Sequence, residues 1–169
     1  MAQGLRKKGS FGVLFICTGN ICRSPTAEGI FLKKMSAAGL ARRIRVDSAG
    51  THGYHIGEAP DPRTQIAAKA RGYDLSQLRA RRFEPEDFDR FDLVLAMDHD
   101  NRAFLARLCP PAHAHKLKLM MEYARNHAVP EVPDPYDDGP EAFDRVLDLL
   151  EDATDGLLET ILSKQSVHR

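Results

Sequence analysis

The chain has 169 residues, and its 24 Lys plus Arg are matched by 24 Asp plus Glu, so the formal net charge is zero. With no global basic field, neither nucleic acid nor insertion into a membrane is indicated, and any electrostatic function must be local. The length suits one domain with a sizeable core. Three cysteines, at 17, 22 and 109, do not make a secreted disulfide framework and suit a reducing cytoplasm.

Residues 1–10 read as a flexible N-terminal tail. Arg6-Lys7-Lys8 precedes an apolar run at 11–16 that is too short for a membrane span or the core of a signal peptide. That run reads as a first strand, and the short apolar runs at 44–48, 93–97 and 117–120 read as three more. Between the first two strands, Ala27, Ile30, Phe31, Lys34 and Met35 recur at helical spacing. Residues 62–71 and 99–108 read as shorter helices. The last helix is the clearest, with Phe143, Val146, Leu147, Leu150, Leu157, Leu158, Ile161 and Leu162 three and four apart. Gly156 is expected to weaken its second half. Residues 109–115 and 126–140 read as loops, and the second is long and proline-punctuated, where an active-site element is expected. The alternation predicts a single α/β domain over 11–163, a parallel sheet covered by helices on both faces, with a C-terminal tail over 164–169.

The most informative segment is Cys17-Thr18-Gly19-Asn20-Ile21-Cys22-Arg23-Ser24-Pro25, between the first strand and the first helix. A cysteine, five residues and an arginine can close the backbone into a cradle. Its N–H groups then face one tetrahedral oxyanion, with the positive end of the following helix behind them. Gly19 and Asn20 tolerate positive φ, and Ser24-Pro25 suits a helix start. Cys17 sits on the floor of the cradle, where donors and positive potential favour its thiolate, a nucleophile aimed at phosphorus. Arg23 offers a planar fork of donors for two phosphoryl oxygens, a geometry that lysine lacks. The spacing alone also recurs by chance, and a cysteine after a strand can be a small buried hydrophobe. A leaving oxygen needs an acid, and Asp134, held between Pro133 and Pro135, is the candidate, although Pro-Asp-Pro can also be a plain turn.

The segment closely resembles the signature of the low-molecular-weight protein tyrosine phosphatases. The resemblance continues in order through Asp47-Ser48-Ala49-Gly50-Thr51, Tyr54, Gly57, Asp61-Pro62-Arg63, the run 91–98 ending at Asp98, and Asp134-Pro135-Tyr136. It implies a four-stranded sheet in the order 2-1-3-4, with the cradle in the crevice where strand order reverses. It also implies hydrolysis of phosphotyrosine and small aryl phosphates through a phosphocysteine on Cys17, with Arg23 and the loop residues Thr18, Gly19, Asn20, Ile21 and Cys22 holding the phosphoryl group. Asp134 is then general acid and base. Ser24 resembles the family's hydroxyl that hydrogen-bonds the cysteine sulfur, with a helix cap as its plainer reading. Asn20 is expected to lock the loop. Tyr54 and Tyr136 are the expected aromatic walls of the cleft, although this chain has Asp137 where many relatives carry a second aromatic.

The resemblance adds a reversible Cys17–Cys22 disulfide, whereas Cys109 reads as inert. Ile21 favours the tyrosine branch over the related protein-arginine phosphatases, which carry threonine there. The arsenate reductases of this fold need a further cysteine pair that Cys109 alone does not supply. A non-catalytic phosphate- or phosphoprotein-binding module is the non-enzymatic alternative. His113 and His115, and His52 and His55 around Tyr54, lack partners at metal spacing and read as solvated or rim residues, so neither metal nor cofactor is expected. Expected partners are a phosphotyrosine-containing protein and a tyrosine kinase, with the chain a monomer or weak dimer.

Overall fold

The computed structural model describes residues 10–166. The N-terminal tail expected over 1–10 therefore lies outside the described residues except for Ser10. Strand β1 runs Phe11–Cys17, helix α1 Arg23–Ala37, β2 Ile44–Gly50, α2 Pro62–Ala70, α3 Asp87–Arg90, β3 Leu93–Ala96, α4 His99–Leu108, β4 Leu117–Leu119 and α5 Pro140–Ser166. The four strands form one sheet in the order β2-β1-β3-β4, all neighbours parallel. β1 pairs with β2 from Phe11 opposite Ile44 to Cys17 opposite Gly50, and with β3 from Val13 opposite Leu93 to Ile16 opposite Ala96.

Because side chains alternate along a strand, β1 feeds two cores. Val13, Phe15 and Cys17 face α1 and α5, packing with Ile30, Phe31, Met35, Leu147, Leu150 and Leu157. Phe15 meets Phe31 edge to face at 5.8 Å. Leu14 and Ile16 face the other way, onto Phe83, Phe88, Phe91 and Leu105. Burying side chains of this size contributes roughly 1.5–3 kcal/mol each. The strand that carries the cysteine is thus clamped from both faces. It is also the strand at which the sheet order reverses, so the loop leaving it opens into the crevice where such sheets bind ligands.

Several boundaries differ from the sequence reading. α5 continues through Ser166, past the point where a tail was expected. Along it Leu162 is exposed. The stretch read as a loop at 109–115 contains a 3-10 helix, Pro111–Lys116, and the four-residue α3 was not anticipated, being too short for periodicity to show. Gly156 has a packing reason beside its cost to the helix. A Cβ there would lie 1.8 Å from the Tyr123 carbonyl oxygen, so only glycine lets that backbone sit against α5.

Candidate active site

The loop from Cys17 to Arg23 is shaped by what holds its carbonyls. Thr51 N–H donates to the Cys17 carbonyl at 2.9 Å, His52 N–H to Thr18 at 3.0 Å, and Asp61 N–H to Ile21 at 2.9 Å. The Cys22 carbonyl accepts from the N–H and hydroxyl of Thr26 in α1. In a trans peptide the C=O and the next N–H point in opposite directions. Carbonyls tied outward to the neighbouring loop and helix therefore turn the N–H groups of Thr18, Gly19, Cys22 and Arg23 to the concave side. Gly50 permits the closeness, since a Cβ there would stand 2.7 Å from the Thr18 carbonyl oxygen.

Asn20 makes the tightest bend. Its φ of 59° is the left-handed region, which asparagine tolerates better than most residues. Its side chain fixes that bend: Nδ2 donates to Ser24 Oγ at 2.8 Å and to Ser48 Oγ at 2.9 Å, while Oδ1 accepts the Arg81 N–H at 3.0 Å. Ser24 Oγ lies 3.0 Å from Cys17 Sγ. The helix-cap reading of Ser24 does not hold, since the position before the helix is Cys22 and Ser24 sits inside the first turn.

Arg23 is 1% exposed. Its Nη1 donates to Asp98 Oδ2 at 2.6 Å and to the Val132 carbonyl at 3.0 Å, and Nη2 donates to Thr18 Oγ1 at 3.4 Å. Nε is buried with no protein acceptor, an arrangement that costs free energy unless an anion meets it. Burial opposes the guanidinium charge, but Cys17, Asp98 and Asp134 more than offset it, so the group stays firmly protonated. The edge formed by Nε and Nη2 is the bidentate face that suits an oxyanion.

Asp134 lies across from this edge, its Oδ2 3.8 Å from Arg23 Nη2 and its side chain 52% exposed. The Tyr136 N–H donates to its Oδ1 at 3.1 Å. The loop carrying it is docked at Val132, whose N–H donates to the Met97 carbonyl at 2.8 Å, just past the end of β3. Cys17, Thr18, Gly19, Ile21, Cys22, Arg23, Tyr54, His55, Asp134 and Tyr136 together line one cleft of about 210 Å³. Of the residues expected to form the site, Asn20 and Ser24 lie behind that surface, both buried.

The walls are aromatic and half open: Tyr54 is 69% and Tyr136 46% exposed. Tyr54 stacks on His52 with ring centroids 5.0 Å apart, and Tyr136 rests against the Arg63 guanidinium at 5.3 Å, which is itself held by Asp61. Among the histidines, His55 lines the cleft, its Nδ1 3.1 Å from Glu58 Oε2, whereas His113 pairs with Asp89 far along the chain. Cys17, Cys22 and Cys109 are free thiols. Burial, with smaller contributions from Cys17 and Asp61, pushes the Cys22 thiol up to about 12 against a neighbouring Thr64 hydroxyl.

Asp98, Val132, Ser48 and Asn101 were not assigned roles from the sequence. Asp98 ends the motif at 91–98, and a carboxylate just beyond a parallel strand is the available signal. Asn101 Nδ2 donates to Thr18 Oγ1 at 3.1 Å, bracing the cradle from α4.

A parallel four-stranded domain with an oxyanion cradle after its central strand defines a recognisable class, and comparisons agree. Residues 12–167 match the family described as low molecular weight phosphotyrosine protein phosphatase. A Synechocystis protein carrying the name of this family is 50% identical over 157 residues, covering 92% of this chain and 99% of its own. The low molecular weight protein-tyrosine-phosphatase of Streptomyces coelicolor is 42% identical over 157 residues, covering 90% and 94%. A crystal structure of a protein tyrosine phosphatase from Entamoeba histolytica, with Hepes in its active site, superposes with a TM-score of 0.89 at 38% identity, covering 92% of this chain and 99% of that one. The chain belongs to the low molecular weight phosphotyrosine protein phosphatase family.

Among the described residues, no helix is long and apolar enough to cross a membrane.

Proposed function

We propose that this chain hydrolyses phosphotyrosine on protein substrates in two displacements at the Cys17 cleft. In the first, the Cys17 thiolate attacks phosphorus, the S–P bond forms as the P–O bond to the phenol breaks, and the Asp134 carboxyl gives its proton to the departing oxygen. In the second, the Asp134 carboxylate takes a proton from water, whose oxygen attacks phosphorus. The S–P bond breaks, releasing inorganic phosphate and restoring the thiolate. Arg23 Nε and Nη2 and the inward N–H groups of the loop stabilise the equatorial oxygens through both steps. The Ser24 hydroxyl, 3.0 Å from the sulfur, stabilises the thiolate as it leaves phosphorus.

The observation that carries this reading is the buried Nε of Arg23 without a protein acceptor, in a cleft shared by Cys17 and Asp134. Pure phosphate binding would need the arginine but neither the thiol nor the acid. The half-open rings of Tyr54 and Tyr136, with the apolar Ile21 in the same lining, support an aryl ester over a short serine phosphate, because aromatic and apolar walls favour a planar ring.

Hydrolysis of an aryl phosphate by wild type, Cys17→Ser and Asp134→Ala tests the assignment. Cys17→Ser should abolish turnover, and Asp134→Ala should slow it by about 10²–10⁴-fold. Equal rates in all three proteins would refute it.

A further inference from the structure

Glu28 lies on α1, 8% exposed, and is not part of the cleft lining. Its Oε1 accepts a hydrogen bond from Ser48 Oγ at 2.6 Å. Ser48 Oγ in turn accepts from Asn20 Nδ2, which also donates to Ser24 Oγ, which meets Cys17 Sγ. The relay therefore runs from a buried carboxyl to the sulfur through two serines and one amide.

Elementary donor counting gives this relay a direction. An amide nitrogen only donates, a carboxylate only accepts, and each hydroxyl has one proton. Asn20 Nδ2 serves both serines, and its Oδ1 is held by the Arg81 N–H. Ser48 gives its proton to Glu28, leaving its oxygen to accept from Asn20. Ser24 receives from Asn20, so its own proton is left for the sulfur. Each hydrogen has one place to go when Glu28 is ionised. When Glu28 is protonated, its O–H can donate to the second lone pair of the Ser48 oxygen and turn the Ser48 proton away from the carboxyl, so the relay loses its single direction.

We propose that Glu28 is a positioning residue for the chemistry at Cys17, orienting Asn20 and through it the Ser24 hydroxyl on the sulfur. The inference rests on the phosphocysteine reading, because a donor on sulfur matters most when the thiolate leaves phosphorus. Burial pushes the Glu28 carboxyl up to about 7, against the Ser48 hydrogen bond; Asp47 on β2 adds to the rise and Arg81, in the loop before α3, opposes it. Its ionisation therefore falls in the range where a phosphatase would work.

The test is a double-mutant cycle of wild type, Glu28→Gln, Ser48→Ala and the double variant, reading kcat on an aryl phosphate and the phosphocysteine trapped by acid quench. The Gln amide imitates the protonated carboxyl. At about pH 8 each single variant should lower kcat about tenfold and raise the trapped phosphocysteine. The double variant should fall within about twofold of Ser48→Ala. The gap between wild type and Glu28→Gln should close as the pH is lowered to about 5, where the wild-type carboxyl is itself protonated. Multiplying effects in the double variant, unchanged kcat in Glu28→Gln, or a gap that does not vary with pH would overturn the proposal. An inactive wild type would instead refute the phosphatase reading. The relay would then be read from alkylation of Cys17 by iodoacetate in the same four proteins, where non-additive rates support it and additive rates overturn it.

Discussion

Arg23 and Val132 are joined side chain to main chain, 109 positions apart: the guanidinium Nη1 donates to the Val132 carbonyl at 3.0 Å. The Val132 N–H is meanwhile tied to the Met97 carbonyl at 2.8 Å. One residue thus fastens the loop that carries Asp134 both to the sheet and to the arginine of the cradle. The proposed acid and the proposed oxyanion site are aligned by this pair of bonds.

Asp98 is the other partner of that guanidinium and also caps α4, its Oδ1 accepting the Asn101 N–H at 2.7 Å. Asp98→Asn keeps a capping oxygen and removes the charge, whereas Asp98→Ala removes both. Both should raise KM for an aryl phosphate by freeing the arginine. Only Ala should add about 1 kcal/mol of lost capping, to be read from urea unfolding of the two variants side by side.

Stability should depend on pH through Glu28, and the sign follows from its raised value. Between about 4.5 and about 7 the folded carboxyl keeps a proton that the unfolded chain has released. The folded state therefore binds more protons there, and stability falls as pH rises. Glu28→Gln lacks this loss. Its unfolding free energy should rise relative to that of wild type as pH increases from about 4.5 to about 7, by roughly 3 kcal/mol. Urea titrations at about pH 5 and pH 8 decide it; a difference that does not change with pH would contradict the assignment.

Two thiols share the loop, but their chemistry should separate. Cys22, pushed up to about 12, stays protonated at neutral pH. Brief iodoacetamide treatment at about pH 7 should therefore modify Cys17 and spare Cys22, because the thiolate is the reactive form. Peptide mass spectrometry locates the label, and inorganic phosphate should protect against it. Labelling of Cys22 ahead of Cys17 would contradict the raised Cys22 value.

Gly156→Ala gives opposite signs on two arguments. Helix propensity alone predicts a gain of about 1 kcal/mol. The 1.8 Å approach to the Tyr123 carbonyl predicts a net loss, because backbone rather than a flexible side chain must move. A loss of about 2 kcal/mol would lower Tm by roughly 4–8 °C for a chain of this size, and calorimetry would register it.

The sequence made plain whatever was local or periodic. The strand before Cys17, the cradle residues and the long final helix all announce themselves within a few positions, and the sheet order came with the family resemblance. Asp98 was visible as part of a motif, but its partner is 75 positions away, so no spacing links it to Arg23. The same holds for Val132, which acts through its backbone and carries no signal in its side chain. Glu28 and Ser48 look like ordinary members of a helix and a strand until folding sets them 2.6 Å apart. At Gly156, propensity sees only the helix and not the carbonyl pressed against it.

The double tether at Val132 divides the segment after α4 into two parts with different freedoms. Both bonds use main-chain atoms of Val132, so within this loop the aim of the neighbouring carboxylate is written in the backbone and depends on no polar side chain of the loop itself. The surface from Tyr136 onward can then change character, as Asp137 illustrates, and redraw which polypeptides are accepted while the reacting centre stays as it is.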